Sequence, residues 1–194
     1  ERLEVWRRLD RSKLACEVIA IGPGERVPLA GSWSVEAFRS PHRVACQGYA
    51  LFQERNVLRA EYRQLPELEI RRLRVEGNVQ VSEPVESCEL AFTGDTLIDV
   101  VEREEHVRRA RRLLIEATFL DDQLSVEEAR EKSHVHLYEI ASRASLFENE
   151  AIALTHFSWR YDEREIVAAL ERALPAGLRQ RVTPFLEGRR ARRA

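Results

Sequence analysis

Short apolar runs, joined at first by tight turns, organise the first part of this chain. Residues 32–38 alternate apolar and polar side chains, which predicts a half-buried strand, and residues 44–52 predict a further strand after a loop. Residues 14–21 predict a strand that a Gly-Pro-Gly turn closes, and residues 1–9 predict an amphipathic helix. Because tight turns connect these strands, we expect them to pair antiparallel.

From residue 88 onward, apolar strands alternate with charged helical segments. The strands are predicted at residues 88–92, 113–118 and 151–155. A charged amphipathic helix is predicted at residues 97–111, and two capping boxes predict helices running toward Arg143 and up to Pro175. The capping boxes are Ser125 with Glu128, and Asp162 with Glu165. This alternation predicts parallel βαβ units with right-handed crossovers.

We interpret the chain as a single, partial domain with four parts. These are a strand-rich part (1–54), a connection or arm-like excursion (55–87), the strand–helix repeats (88–186) and a basic tail (187–194). Within the excursion, Pro66 prevents one long helix from forming. The chain contains no methionine and starts at Glu1 within the predicted helix, so we expect it to be a fragment of a longer protein.

Composition narrows the class of protein. A chain of 194 residues, 44% apolar and 33% charged, is typical of a globular domain and not of a disordered one. No apolar run approaches the roughly 18–20 residues of a membrane span, so no membrane partner is expected. The three cysteines have no CxxC spacing, which favours a reducing, cytoplasmic compartment. The net charge of −2 predicts no general attraction to nucleic acid.

Candidate chemistry lies where apolar runs end in a polar side chain. Asp95, Glu116 and His156 each follow such a run, and the carboxyl ends of parallel strands meet at one edge of a sheet. Aspartate and histidine are ligands that suit zinc. Each residue also has a structural alternative: Asp95 as a helix N-cap, Glu116 in a salt bridge, and His156 as a core histidine.

Three further histidines are candidates. His42 lies in the predicted loop between two strands. His134 and His136 are two residues apart, so they cannot share one helical face, and at most one points into a site if the helix has already begun there.

Several segments together resemble ribonuclease Z, a phosphodiesterase of the metallo-β-lactamase fold. They are Phe-Thr-Gly-Asp-Thr at 92–96, Leu-Ile-Glu-Ala-Thr-Phe at 114–119, Leu-Thr-His-Phe-Ser-Trp-Arg-Tyr at 154–161, and a loop histidine followed by Gly48-Tyr49. The resemblance implies an α/β (α+β) architecture, the αββα sandwich with mixed sheets and flanking helices. This chain would be its C-terminal half.

The resemblance also implies roles for residues. Metal ligands would be His42, Asp95 and His156, binding two zinc ions, with Mn²⁺ or Fe²⁺ as alternatives. The catalytic residues would be His134, which protonates the leaving oxygen, and Glu116, which orients it, with His136 taking part if the register slips. The last motif would supply substrate-binding residues: Ser158, Arg160 and Tyr161.

Two departures from the family pattern affect the expected activity. The metal-binding run His-x-His-x-Asp-His is absent, and Ile115 stands where the family has a histidine. Three ligands are too few for two catalytic zincs, each of which takes about three. We therefore expect this chain alone to bind metal poorly and to be inactive.

The expected function of the complete protein is cleavage of a transfer-RNA precursor, with transfer RNA as the partner. We also expect a missing N-terminal half or complementing chain, and a homodimer when complete. One alternative is a related hydrolase of a small phosphodiester or ester. The other is a metal-free binding or scaffold domain, which the two departures favour.

Overall fold

In the computed structural model, residues 18–186 are described, and they build one seven-stranded mixed sheet flanked by helices. The predicted helix at 1–9 and residues 14–17 of the first predicted strand lie outside this range, and residues 18–21 are not in a strand. The strands are β1 (Arg26–Pro28), β2 (Trp33–Ser40), β3 (Cys46–Leu58), β4 (Ser82–Phe92), β5 (Arg112–Glu116), β6 (Ala151–Thr155) and β7 (Val182–Pro184).

The strands lie in the sheet in sequence order, and their directions change at β4. β1 to β4 pair antiparallel, whereas β4 to β7 pair parallel. This confirms the predicted change from hairpins to βαβ units, because a parallel pair needs a crossover connection. Since β2 runs in the same direction as β4, their carboxyl ends reach the same edge of the sheet as those of β5 and β6.

Helices fill the connections and cover one face of the sheet. Their bounds are α1 (Glu67–Val75), α2 (Asp99–Arg103), α3 (Glu105–Arg109), α4 (Val126–Glu131), α5 (Leu137–Ser142), α6 (Glu163–Ala173) and α7 (Ala176–Arg179), with 3₁₀ turns at Ala60–Tyr62 and Ala144–Leu146. No helix among residues 18–186 is both long and apolar enough to cross a membrane.

The core lies between this helical layer and one face of the central strands. Leu113 and Ile115 of β5, Leu154 of β6, and Ile166 and Leu170 of α6 are fully buried. Each apolar side chain of that size stabilises the fold by about 1.5–3 kcal/mol relative to full exposure. The core therefore fixes the positions of the strand ends that carry the polar residues.

Two predicted helices are each interrupted. The helix expected at 97–111 divides at Glu104, whose backbone is extended, into α2 and α3. The helix expected from Ser125 toward Arg143 begins at the predicted capping box but ends at Glu131. Hydrophobic periodicity alone does not reveal either interruption.

The end of α4 places a candidate catalytic residue. Ser133 adopts a left-handed conformation (φ 65°), its N–H donates to Arg130 O, and the N–H of His134 donates to Ala129 O. These two bonds form a Schellman motif, which caps the last carbonyls of a helix and reverses the chain. His134 consequently lies outside the helix, and its ring reaches Glu116 at the end of β5.

Candidate active site

The candidate site lies at the sheet edge where β2, β4, β5 and β6 end. His42 follows β2, Asp95 follows β4, Glu116 ends β5, and His156 follows β6. His134 enters the same place from the turn after α4. Its ring centroid is 5.4 Å from that of His42 and 5.2 Å from that of His156. The structure therefore brings together the residues that the strand-end pattern singled out.

Glu116 is the buried anion of the site, with 1% of its surface exposed. Its Oε1 accepts a hydrogen bond from the Thr96 backbone N–H (2.7 Å), and its Oε2 accepts from the Thr118 hydroxyl (2.6 Å) and the Val135 N–H (3.2 Å). The Nδ1 of His134 lies 3.0 Å from Oε1. A buried carboxylate needs such partners, because an uncompensated charge in the interior is costly.

The bond with Glu116 determines the state of the His134 ring. An ionised carboxylate only accepts hydrogen bonds, so Nδ1 carries the proton and Nε2 is left for other chemistry. The hydrogen bond from His134 to Glu116 raises the pKa of His134, against the effect of partial burial, and the charge of Asp95 raises it further. The doubly protonated ring that can donate from Nε2 is thereby favoured.

Thr118 links Glu116 to His156. Because its hydroxyl proton is directed to Glu116, its oxygen is free to accept from the Nδ1 of His156, 2.9 Å away. The Nε2 of His156 then keeps its lone pair and lies 3.5 Å from Asp95 Oδ1. Fixing one ring nitrogen so that the other can bind a metal is the usual role of residues behind a ligand. Thr118 was not among the candidates predicted from the sequence, although it lies within the Glu-Ala-Thr-Phe segment.

His42 completes the group with an unpaired nitrogen. Its Nε2 is buried and has no hydrogen-bond partner among the described residues, whereas its Nδ1 lies 3.3 Å from the Val44 N–H. A buried polar atom without a partner is costly unless something binds it. With Asp95 and His156, His42 fits as one part of a zinc site, and three ligands are still too few for two zincs.

A second possible ligand set is Glu116, His134 and His156, whose ligand atoms lie within 4.8 Å of one another. Among residues 18–186, Asp95, His42 and His156 do not form such a close group, so the metal set that the sequence predicts stays a prediction. The oxygens of Glu116 already accept several protein hydrogen bonds, whereas the Asp95 carboxylate is half-exposed and His42 Nε2 is unpaired. Glu116 is better suited to orient His134.

Three residues at or next to the site residues have a left-handed backbone conformation. Gly94 (φ 62°) precedes Asp95, Ser133 (φ 65°) precedes His134, and His156 itself has φ 57°. Non-glycine residues in this region carry conformational strain, which persists where the surroundings hold them in place. At His156 the left-handed backbone follows the end of β6, and the ring lies next to Asp95 and Thr118.

His136 lies outside this cluster, with 1% of its surface exposed. Its Nδ1 accepts from the Tyr138 N–H, its Nε2 lies 3.2 Å from Asp121 O, and its own N–H donates to Glu139. It therefore caps the amino end of α5. Both of its ring nitrogens have hydrogen-bond partners outside the cluster, whereas the ring of His134 lies within it.

Residues 154–161, the last of the sequence motifs, run from the candidate site into the protein interior. The Ser158 N–H donates to Thr118 O, and Arg160 lies over the Phe119 ring at 5.4 Å. Tyr161 is buried, and its hydroxyl accepts from the Leu120 N–H and donates to Asp121. Tyr161 is thus held within the protein, whereas the Arg160 side chain remains near the surface.

Comparison with solved structures identifies the class of protein. The metallo-β-lactamase fold protein YhfI from Bacillus subtilis superimposes with a TM-score of 0.53 and 15% identity, over 94% of this chain and 58% of that one. This confirms the predicted fold: the seven-stranded sheet with flanking helices is part of a metallo-β-lactamase fold. No family model matches the sequence.

Sequence comparison identifies the family. The chain is 40% identical over 187 residues to tRNase Z TRZ1 of Arabidopsis thaliana, and 33% identical over 192 residues to the chloroplastic tRNase Z TRZ2 of the same plant. These matches span 95% and 98% of this chain, but only 66% and 54% of the two relatives. The chain belongs to the ribonuclease Z family and corresponds to part of the length of these relatives.

Proposed function

We propose that this chain carries part of the active site of a zinc-dependent phosphodiesterase that processes the 3′ ends of transfer-RNA precursors. The observation that carries the proposal is the single hydrogen-bonded unit in which Glu116 binds His134 directly and His156 through Thr118, beside Asp95. The relatives named as tRNase Z support the choice of substrate. The free thiols of Cys46 and Cys88 fit a reducing, cytoplasmic compartment.

In this proposal His42, Asp95 and His156 hold metal. Zinc, when bound, would lower the pKa of a water molecule and neutralise charge on the phosphate. The remaining ligands would come from polypeptide outside this chain, either an N-terminal part of the same protein or a complementing chain. The expected homodimer stays a prediction.

The chain's own catalytic step is a proton transfer. His134, held through Nδ1 by Glu116, would donate the Nε2 proton to the departing oxygen as the bond to phosphorus breaks. Glu116 keeps the ring oriented and stabilises its protonated form. Arg160, close to the surface next to Phe119, would contact the substrate, and Ser158 would position the loop that carries it.

Three variants of the complete protein test this assignment. His134→Ala should keep its zinc content and lose about 10²–10⁴-fold in kcat, the usual contribution of a general acid. His156→Ala should lose zinc and activity together. The control is His136→Ala, which should lower thermal stability through the lost cap while the folded enzyme keeps its zinc.

The same measurements separate the alternatives. Turnover of bis(p-nitrophenyl) phosphate without cleavage of a transfer-RNA precursor would indicate a small-phosphodiester hydrolase. A complete protein without zinc would indicate a binding or scaffold domain. A severe loss of kcat in folded His136→Ala, with a mild loss in His134→Ala, would contradict the role given to His134.

A further inference from the structure

A depression of about 520 Å³ opens beside the candidate site, and His42 belongs to both. It is formed where the end of β2, the following loop, α2 with the residue Leu97 before it, and the turn after α4 meet. The residues relevant to its chemistry are Arg39, His42, Arg43, Asp99, Arg103 and Ser133. None of the three arginines belongs to the hydrogen-bonded unit around Glu116.

The depression is cationic. Arg39, Arg43 and Arg103 are exposed, and within residues 18–186 none of their guanidinium groups makes an ion pair. The carboxylate of Asp99, which also lines the depression, is bound by Arg130 at 2.8 Å. Arg130 also binds Glu139, and Asp99 makes no ion pair with the three arginines among the described residues, so their guanidinium groups remain available to an outside anion.

The depression and the candidate site share a wall. His42 lines the depression, and its ring is 5.4 Å from the His134 ring. Ser133 lines it too and directly precedes His134 in the chain. A nucleic-acid strand with one phosphodiester at His134 would therefore carry its next phosphate toward Arg39, Arg43 and Arg103.

We propose that Arg39, Arg43 and Arg103 form a subsite for the backbone phosphate next to the scissile bond of a single-stranded RNA segment. The subsite rests on the proposed function for the identity of the strand. Guanidinium groups suit this task because they present several donors in a planar fork and stay charged at all physiological pH values. Contacts of this type position a strand without reading its sequence.

Binding to the metal-free protein tests the subsite independently of turnover. We would measure the affinity of a fluorescent, short single-stranded RNA by anisotropy from about 50 to 200 mM salt. Arg39→Ala and Arg103→Ala should each weaken binding about threefold or more, and each should reduce the slope of log affinity against log salt by about 0.7, the value for one phosphate contact on a single strand. The triple variant, with Arg43→Ala added, should reduce the slope by about 2.

Arg112→Ala is the matched control, because Arg112 is an exposed arginine at the amino end of β5, on the opposite edge of the sheet. It should bind RNA with the affinity and salt slope of the wild type. Equal behaviour of the Arg39, Arg103 and Arg112 variants would overturn the subsite.

Binding of inorganic phosphate tests whether the subsite recognises an RNA strand or any free anion. Inorganic phosphate should bind far more weakly than the RNA, because it makes only the contacts of one phosphate group. Tight phosphate binding that depends on the same arginines would overturn the assignment to a strand. Failure of the proposed function appears elsewhere, as a complete protein that lacks zinc or cleaves no phosphodiester.

Discussion

At the scale of single residues, the hydroxyl of Thr118 determines how the site is held together. It donates to Glu116 at 2.6 Å and lies 2.9 Å from the Nδ1 of His156, so it sets which nitrogen of His156 faces Asp95. A threonine can do this because one hydroxyl both donates and accepts. The orientation of the His156 ring therefore depends on a residue outside the predicted metal ligands.

Removing this hydroxyl should weaken metal binding. In the complete protein, Thr118→Val should lower zinc affinity about 10- to 100-fold, the usual effect of losing a partner behind a ligand. Thr118→Ser, which keeps the hydroxyl, is the control and should stay near wild type. Competition with a chelator measures both affinities. Wild-type zinc affinity in Thr118→Val would refute the linking role.

At the scale of elements, the pairing of β2 with β3 depends on a glycine. A Cβ atom added at Gly48 would lie 2.2 Å from Cε2 of Phe38 and 2.8 Å from Phe92 O. Gly48 is the cross-strand partner of Phe38, so the buried Phe38 ring occupies the space that a side chain would need. Glycine thus allows this ring to cover the strand next to the loop that carries His42.

Gly48→Ala should destabilise the protein by about 1–3 kcal/mol, the typical cost of overpacking a core. Gly177→Ala in α7 provides the control, since an added Cβ there meets nothing within 4 Å and alanine favours a helix. Chemical denaturation gives both free energies of unfolding. Equal stability of the two variants would show that Phe38 can move aside at little cost.

Glu89 in β4 makes the stability of the protein depend on pH. Burial by itself would raise the pKa of Glu89, but the Ser87 hydroxyl and the charges of Arg111 and Arg55 together lower it. A carboxylate whose pKa is lower in the folded state stabilises the protein above its unfolded pKa. That contribution is lost as the pH falls through the folded pKa.

Glu89→Gln should therefore be less stable than wild type at neutral pH, and the difference should shrink as the pH falls below about 4, near the unfolded pKa of glutamate. Thermal melts across this range measure the difference. Glu105→Gln, which removes an exposed partner of Arg109, should change stability little at any pH. A difference for Glu89→Gln that does not vary with pH would contradict the ionic explanation.

At the scale of the whole molecule, no helix among residues 18–186 covers the second face of the sheet as fully as the helices cover the first. The strand register places Tyr49, Leu51, Leu90, Phe92 and Leu114 on this face. Phe92 is 40% exposed and Tyr49 37% exposed. A contiguous apolar surface of this kind marks a region that another structural layer covers.

We predict that the isolated 194-residue chain binds a hydrophobic dye and self-associates. Phe92→Ser should reduce both effects. Trp159→Ser is the control, because Trp159 is 80% exposed but lies beyond the end of β6 and outside this face. Dye fluorescence and light scattering report the two properties. A monomeric chain that binds no dye would contradict the prediction.

Local patterns in the sequence predicted much of the sheet and of the site. The strands at 32–38, 88–92 and 151–155 and both capping boxes are confirmed, and Asp95, Glu116 and His156 end or follow strands as expected. These features depend on interactions within a few residues, such as the alternation of side chains along a strand and the bonds of a helix cap. Sequence motifs alone also indicated the ribonuclease Z family.

Contacts between distant parts of the chain decided the rest. The entry of His134 into the cluster and the linking role of Thr118 were decided there. Thr118 and His156 are 38 residues apart, and Glu116 and His134 are 18 apart. Hydrophobic periodicity shows which face of an element is buried. Which polar side chains meet, and which ring nitrogen carries a proton, depends on how the folded strands and turns bring their ends together.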